Sequence, residues 1–214
     1  DTGEYRIRAS AQGRGSDEQE VAVGASGASD LRLEIVSGSS MRGKVLDVRG
    51  RPASAVEVRA MAVDVDGHMR GFAMSRADGS FTLEGLSGES LVLLAGGGAA
   101  MAYGMAGPAA PGGPDVVVRL RPAARVQVTV LGPDGTPSKD VHAGVTSVNG
   151  RRIGGFMASG PTDENGVAEV ITIAGALTIK AGRLQLEGSV SVNVAEGGTT
   201  QVEILLAPTP PFSR

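Results

Sequence analysis

The sequence predicts an all-β chain: tandem antiparallel β-sandwich domains, Ig-like or prealbumin-like, the first of them only a half-unit. Three observations predict it. The chain holds 33 glycines and 11 prolines in 214 residues, roughly a fifth of its length against about 12% in average proteins, so the backbone turns often and long helices are disfavoured. Apolar residues recur at every second position in short runs, the signature of half-buried strands. Glycine-marked corners come back at a long fixed interval: Gly3, Gly88 and Gly175 are spaced by 85 and 87 residues.

Taken in order, residues 1–40 read as the back half of a repeat, because Gly3-Glu4-Tyr5-Arg6-Ile7 lines up with Gly88-Glu89-Ser90-Leu91-Val92 and with Gly175-Ala176-Leu177-Thr178-Ile179. Residues 41–122 form a complete unit. In it Val56, Val58, Ala60 and Ala62 alternate with Glu57, Arg59 and Met61, predicting a strand with one dry and one wet face. Residues 123–208 form the next complete unit, with Val126, Val128 and Val130 in one strand, Val190, Val192 and Val194 in another, and Val202, Ile204 and Leu206 in a third. Residues 209–214 are a tail. Landmarks keep their order between the two complete units: Gly50 with Gly135, Gly67 with Gly150, Met74 with Met157, and Asp78-Gly79 with Asn165-Gly166. Asp-Gly and Asn-Gly supply the positive φ that tight hairpins need. The uncharged stretch from Ser90 to Pro114 is long enough to raise the question of a membrane span, but Pro108, Pro111, Pro114 and its many glycines would leave backbone groups unsatisfied in lipid. It reads as a flexible Gly/Ala loop, centred on Gly96–Gly113.

The residues Gly43, Val45, Asp47, Gly50 and Pro52, followed by a Val-rich strand and then by Asp78, Gly79, Phe81, Leu83, Gly85, Leu86 and Gly88, resemble the carboxypeptidase regulatory-like repeat. The resemblance covers the second unit well and the third more loosely, where Val167-Ala168 follows the turn in place of the aromatic and the first strand opens without the glycine. It implies a transthyretin-like (prealbumin-type) β-sandwich in which Phe81 plugs the core, and a non-catalytic accessory module on a secreted or surface protein. Fold alone does not fix a role.

Composition and motifs exclude more than they assign. A net charge of −3 with 20 Lys+Arg against 23 Asp+Glu argues against a phosphate-backbone binder, so no nucleic acid partner is expected. With no cysteine and only His68 and His142, no zinc site, no cofactor and no catalytic triad can be built from the sequence pattern. Asp64-Val65-Asp66-Gly67 and Asp163-Glu164-Asn165-Gly166 cluster oxygen donors beside glycine, but lack the closing Glu of a calcium loop and read as turns. Met69, Met74, Met101 and Met105 beside His68 would suit soft Cu(I); methionine as filler is the plainer reading. A Lys–Asn isopeptide finds no opening-strand Lys and closing-strand Asn within one unit, since Lys44 and Asn193 belong to different units.

What remains is binding. The expected function is a non-enzymatic interaction or spacer module of a larger bacterial protein, secreted, periplasmic or on the cell surface. It would meet a protein partner or neighbouring domains of its parent chain through loops or edge strands. The alternative is a polysaccharide-binding accessory domain of a secreted enzyme, with Tyr103 and Tyr5 as the candidate contact residues, since no Trp is present. The chain opens at Asp1 without a basic or apolar leader, which predicts that any signal peptide lies outside it. An incomplete first unit leaves ladder edges open, predicting docking on the second unit or strand addition by another chain.

Overall fold

The computed structural model of the chain describes residues 2–209 except 8, 12–13, 16–18, 35, 64–68, 87–89 and 97–100. Among the described residues every regular element is a strand. Five short strands come first: β1 (Gly3–Ile7), β2 (Ser10–Ala11), β3 (Arg14–Gly15), β4 (Gln19–Val23) and β5 (Val36–Ser37). β1 pairs with β4, and β2, β3 and β5 make a separate small sheet. Val21 is the one buried apolar side chain among the described residues before Ser39.

From there the strands are longer. β6 (Ser39–Leu46), β7 (Glu57–Ala62), β8 (Met69–Met74), β9 (Ser80–Leu86), β10 (Leu91–Gly96), β11 (Ala102–Ala109), β12 (Val116–Arg119) and β13 (Arg121–Pro122) form two sheets, of order β12-β6-β9 and β13-β11-β10-β7-β8. β14 (Ala124–Leu131), β15 (His142–Val148), β16 (Arg151–Pro161), β17 (Val167–Thr172), β18 (Gly175–Arg183), β19 (Leu186–Val194), β20 (Thr199–Leu205) and β21 (Ala207–Pro208) form two more, β17-β14-β20 and β16-β15-β18-β19-β21. The second set repeats the strand order of the first, element for element.

Each pair of sheets encloses a core from the inward positions of alternating strands. In the middle segment this is Met41, Val45, Val58, Ala60, Phe81, Leu83, Leu86, Leu93 and Val118. In the C-terminal segment it is Val126, Val128, Val130, Val145, Val170, Ile179 and Ile204 among others. The all-β sandwich class therefore holds, with one refinement: the sheets are not wholly antiparallel. β12 runs parallel to β6, and β20 parallel to β14. Parallel neighbours need a long crossover, and here the whole excursion through the opposite sheet supplies it. The closing strand then switches sheets. Leu120 and Leu206 are buried at the switch, each donating its N–H to the strand opposite, at Leu46 O and Leu131 O, both 2.8 Å.

The stretch read from sequence as a Gly/Ala loop is corrected: Leu91–Gly96 and Ala102–Ala109 are paired strands. Gly96 and Gly104 serve close approach. A Cβ on Gly104 would stand 2.4 Å from Arg119 O, and one on Gly96 would enter the Tyr103 ring. Two landmark pairings also shift. Met74 lies opposite Glu57 and Pro161 opposite His142, so Met74 corresponds to Pro161 and not to Met157. Likewise Leu91, Leu93 and Ala95 are buried as Leu177, Ile179 and Ala181 are, one residue off the sequence alignment of Ser90 with Leu177. A slip of one residue in a strand exchanges its faces, and the core each residue joins decides the register: Leu91, Leu93 and Ala95 line the middle core, whereas Leu94 belongs to the C-terminal cluster.

Candidate interaction surface

The site is built on the outer face of the five-stranded sheet of the middle segment. Cross-strand register lays its side chains in rows. Met69, Met61 and Val92 form one row; Phe72, Arg59, Leu94 and Met105 a second; Met74, Glu57, Gly96 and Tyr103 a third. Outer faces of sandwiches are ordinarily polar, yet all of β10 is buried. The C-terminal sandwich is the cause. Met61 and Leu94 belong to the hydrophobic cluster otherwise drawn from residues 124–206, and Tyr103 and Met105 pack against it. Met61, expected on a wet face, is therefore dry.

Polar contacts frame this joint. Arg151, the first residue of β16, donates from Nη1 to Gly107 O at 3.2 Å. Arg121 on β13 pairs with Glu196, in the turn between β19 and β20. Within the sheet Arg59 is ion-paired to Glu57.

Beyond the covered area the same face continues to the edge strand β8. Gly71 and Ala73 point inward, the first toward Leu86 and Leu83 and the second onto the middle core. Phe72 and Met74 consequently point outward, and they are 66% and 52% exposed. Sequence reading passed over Phe72. The signal available was its alternation with Gly71 and Ala73, small residues on the inner side.

The predicted contact residues lie far apart in character. Tyr103 sits on β11 opposite Gly96, half-buried, with its ring over the glycine, the packing by which an aromatic side chain compensates for a strand glycine. Burial pushes its phenol above the usual range. Tyr5 lies on β1 opposite Val21 and is exposed. Nothing brings the two together. Met105 is three strands from Met69 and Met74 in the sheet order, about 14 Å at the usual strand spacing, too far to share one metal. His142 is exposed at the start of β15, while His68 and the Asp64–Gly67 turn lie outside the described residues. The carboxylate of Asp163 caps its own turn, accepting from the N–H groups of Asn165 and Val167 at 2.9 and 2.8 Å. A shallow groove of about 320 Å³ lies on the outer face of the C-terminal sheet, lined by Ser147, Thr178, Ser191 and Asn193 with Leu177 and Val192.

Two further residues invisible to the sequence reading are buried hydroxyls. Ser75 Oγ donates to Ala53 O at 2.7 Å and accepts from Val56 N–H at 3.0 Å; Thr162 Oγ1 does the same with Ser138 O at 2.6 Å and Val141 N–H at 3.0 Å. They pin the chain where it crosses between sheets, beside Ala55 and Asp140 at φ 57° and 59°.

No family model matches the chain, and no curated protein matches it. Solved structures are similar to it at low identity. The TIE protein of Bacillus anthracis is 12% identical with a TM-score of 0.34; the match covers 90% of this chain, which spans 37% of that one. The minor pilin GBS52 of Streptococcus agalactiae is 15% identical, TM-score 0.35, covering 81% of this chain and 99% of the pilin. The major pilin subunit BcpA of Bacillus cereus is 12% identical, TM-score 0.33, over 98% and 86%. The all-β class rests on the sheets themselves. Among the described residues no helix is long and apolar enough to cross a membrane.

Proposed function

We propose that the chain is a non-enzymatic interaction or spacer module of a larger bacterial surface or periplasmic protein, with sandwich units at 41–122 and 123–208 following a partial unit at 1–40. The observation that carries this reading is the joint. The apolar outer face formed by Met61, Leu94, Tyr103 and Met105 is spent on holding the next unit, which makes a stiff pair and leaves edges and loops for contact. The burial of Phe81, Leu83 and Leu86 is what a carboxypeptidase regulatory-like unit at 41–122 would require, and supports that finer assignment. A protein partner, reached through an edge strand, fits this architecture better than a small ligand does.

The test is rotational diffusion by nuclear spin relaxation on the whole chain. Residues 41–122 and 123–208 are expected to tumble with one correlation time. Two independent correlation times would overturn the reading. The alternative, a polysaccharide accessory domain, draws support from the hydroxyl-lined groove at Ser147, Thr178 and Ser191; saturable binding on a glycan array, lost in Tyr103→Ala or in Thr178→Val, would move the assignment there.

A further inference from the structure

We infer that the β8 edge is a self-association site, where a second copy of this chain adds its own β8 antiparallel to the first. The inference rests on the reading of the chain as an interaction module and names the partner of one surface. Four observations carry it.

β8 ends its five-stranded sheet, with β7 on one side and no strand on the other among the described residues, so its outer ladder groups face away from the sheet. Such edges are ordinarily blunted by proline, charge or a bulge turned outward. The corresponding strand of the C-terminal sheet, β16, carries Pro161 opposite His142. At that position β8 has Met74 opposite Glu57, and beyond the bulge that leaves Arg70 unmatched between Met69 and Gly71 the run Gly71–Met74 carries neither proline nor charge.

The apolar strip on β8 is continuous with an interface already present. Met69 is the cross-strand partner of Met61, which lies under the C-terminal sandwich, and Phe72 shares its row with Leu94 and Met105. Part of one apolar face is covered within the chain, and the part on β8 is not.

The strip is also self-complementary. An antiparallel pair centred on Phe72 sets Phe72 against Phe72 of the second copy and Met74 against its Arg70, with no like charges opposed. Aromatic pairs directly across strands are favourable, and like charges there are not. The symmetry is a closed two-fold, with the same patch used twice. One strand edge and the exposed side chains of Met69, Phe72 and Met74 make a small interface, so the dimer is weak and concentration-dependent.

The experiment is sedimentation equilibrium of the whole chain, read together with cross-linking. Mass is expected to rise with concentration from 21.6 kDa toward twice that value, and Phe72→Lys is expected to weaken association by about tenfold or more. Because the chain has no cysteine, single-cysteine variants report register cleanly. Arg70→Cys mixed with Met74→Cys is expected to give a disulfide-linked dimer, while either variant alone gives little. A chain that stays monomeric up to about 1 mM, the range where an interface of about −4 kcal/mol would still register, overturns the inference. So does a dimer indifferent to Phe72→Lys, which would place association on another edge. Either result, in a chain whose two units still tumble together, leaves the proposed module standing.

Discussion

The two five-stranded sheets have the same strand order and opposite outer faces. Pairing fixes the correspondence: Leu94 faces Met105 as Lys180 faces Ser189, and Gly96 faces Tyr103 as Gly182 faces Glu187. Where the middle sheet presents Met61, Leu94, Met105 and Tyr103, the C-terminal sheet presents Ser147, Lys180, Ser189 and Glu187, with Lys180 and Glu187 ion-paired in solvent. One face is built to be covered and the other to be wetted. The fold is therefore directional, and the inner faces that make each sandwich stable are separable from the outer faces that decide how sandwiches join.

The inner faces differ in a compensated way. In the middle segment Gly43 pairs with Phe81; at the same place in the C-terminal segment Val128 pairs with Ala168. The combined volume is nearly constant, so the missing aromatic and the missing glycine of the last unit are one change, not two. Breaking the compensation gives the largest expected effect. Phe81→Ala should cost about 3–5 kcal/mol in urea unfolding. Gly43→Val should cost more than the usual ~1–3 kcal/mol of overpacking, because its Cβ would lie 2.0 Å from Val116 O and 2.7 Å from the Phe81 ring. The double variant should recover the part owed to the ring, a coupling of about 1–3 kcal/mol, and not the part owed to Val116 O. Strict additivity would show that the two positions do not compensate.

The outer faces are tested by exchanging their chemistry. Leu94→Lys places a charge in a site that excludes water, and is expected to cost about 3 kcal/mol and to split one thermal transition into two. Lys180→Leu removes an exposed pair and should change stability by no more than about 0.5 kcal/mol. Equal effects at the two positions would mean that the outer faces do not differ in role.

Much of this was legible in the sequence. Period-two runs such as Val126-Val128-Val130 announce inward faces because a strand shows alternate sides, and Asp78-Gly79 announces a turn because glycine reaches φ 75° there without strain. The joint was not legible. Met61 and Leu94 sit on strands whose partners across the chain are fixed only by folding, and a residue on a nominally wet face gives no sign that another unit will cover it. Ala102–Ala109 was hidden for a related reason: glycine and alanine read as flexibility when nothing says that Arg119 and Tyr103 will press against them. Phe72 and Met74 became a surface only once Gly71 and Ala73 were seen to face the core.

The buried hydroxyls sharpen the comparison from its conserved side. Ser75 and Thr162 hold equivalent backbone groups with bonds of 2.6–3.0 Å. Ser75→Ala and Thr162→Val each strand one N–H and one carbonyl away from water, an expected loss of about 1–3 kcal/mol. The two losses should agree within about 0.5 kcal/mol because the partners are the same. Amide exchange at Val56 and Val141 reports them individually, and an unchanged rate in the variant would remove the hydroxyl from that role.

The smallest effect concerns the turns, where the two segments cap the same N–H from different positions. Asp47 accepts from Arg51 N–H at 2.9 Å, and Asp134 from the corresponding Thr136 N–H at 3.1 Å. In the next turn Asp78 accepts from Ser80 N–H, and Asp163 from the corresponding Val167 N–H. The Arg51 N–H, with the guanidinium behind it, holds the Asp47 carboxyl below its ordinary value of 3.8. The Ser80 hydroxyl and N–H do the same for Asp78, and those of Thr136 for Asp134. A carboxyl lowered in the folded state binds its proton less readily there than in the unfolded chain, so its contribution is complete above pH 3.8 and fades as pH falls through the lower, folded value. Among the described residues two such groups lie in the middle segment and one in the C-terminal segment, which predicts that acid loosens the β6–β7 and β8–β9 turns of the one and the β14–β15 turn of the other. Asp47→Asn and Asp78→Asn should flatten the acid limb of stability measured by urea unfolding between about pH 2 and 5. An acid limb as steep in the double variant as in the parent would assign the pH dependence to other carboxylates.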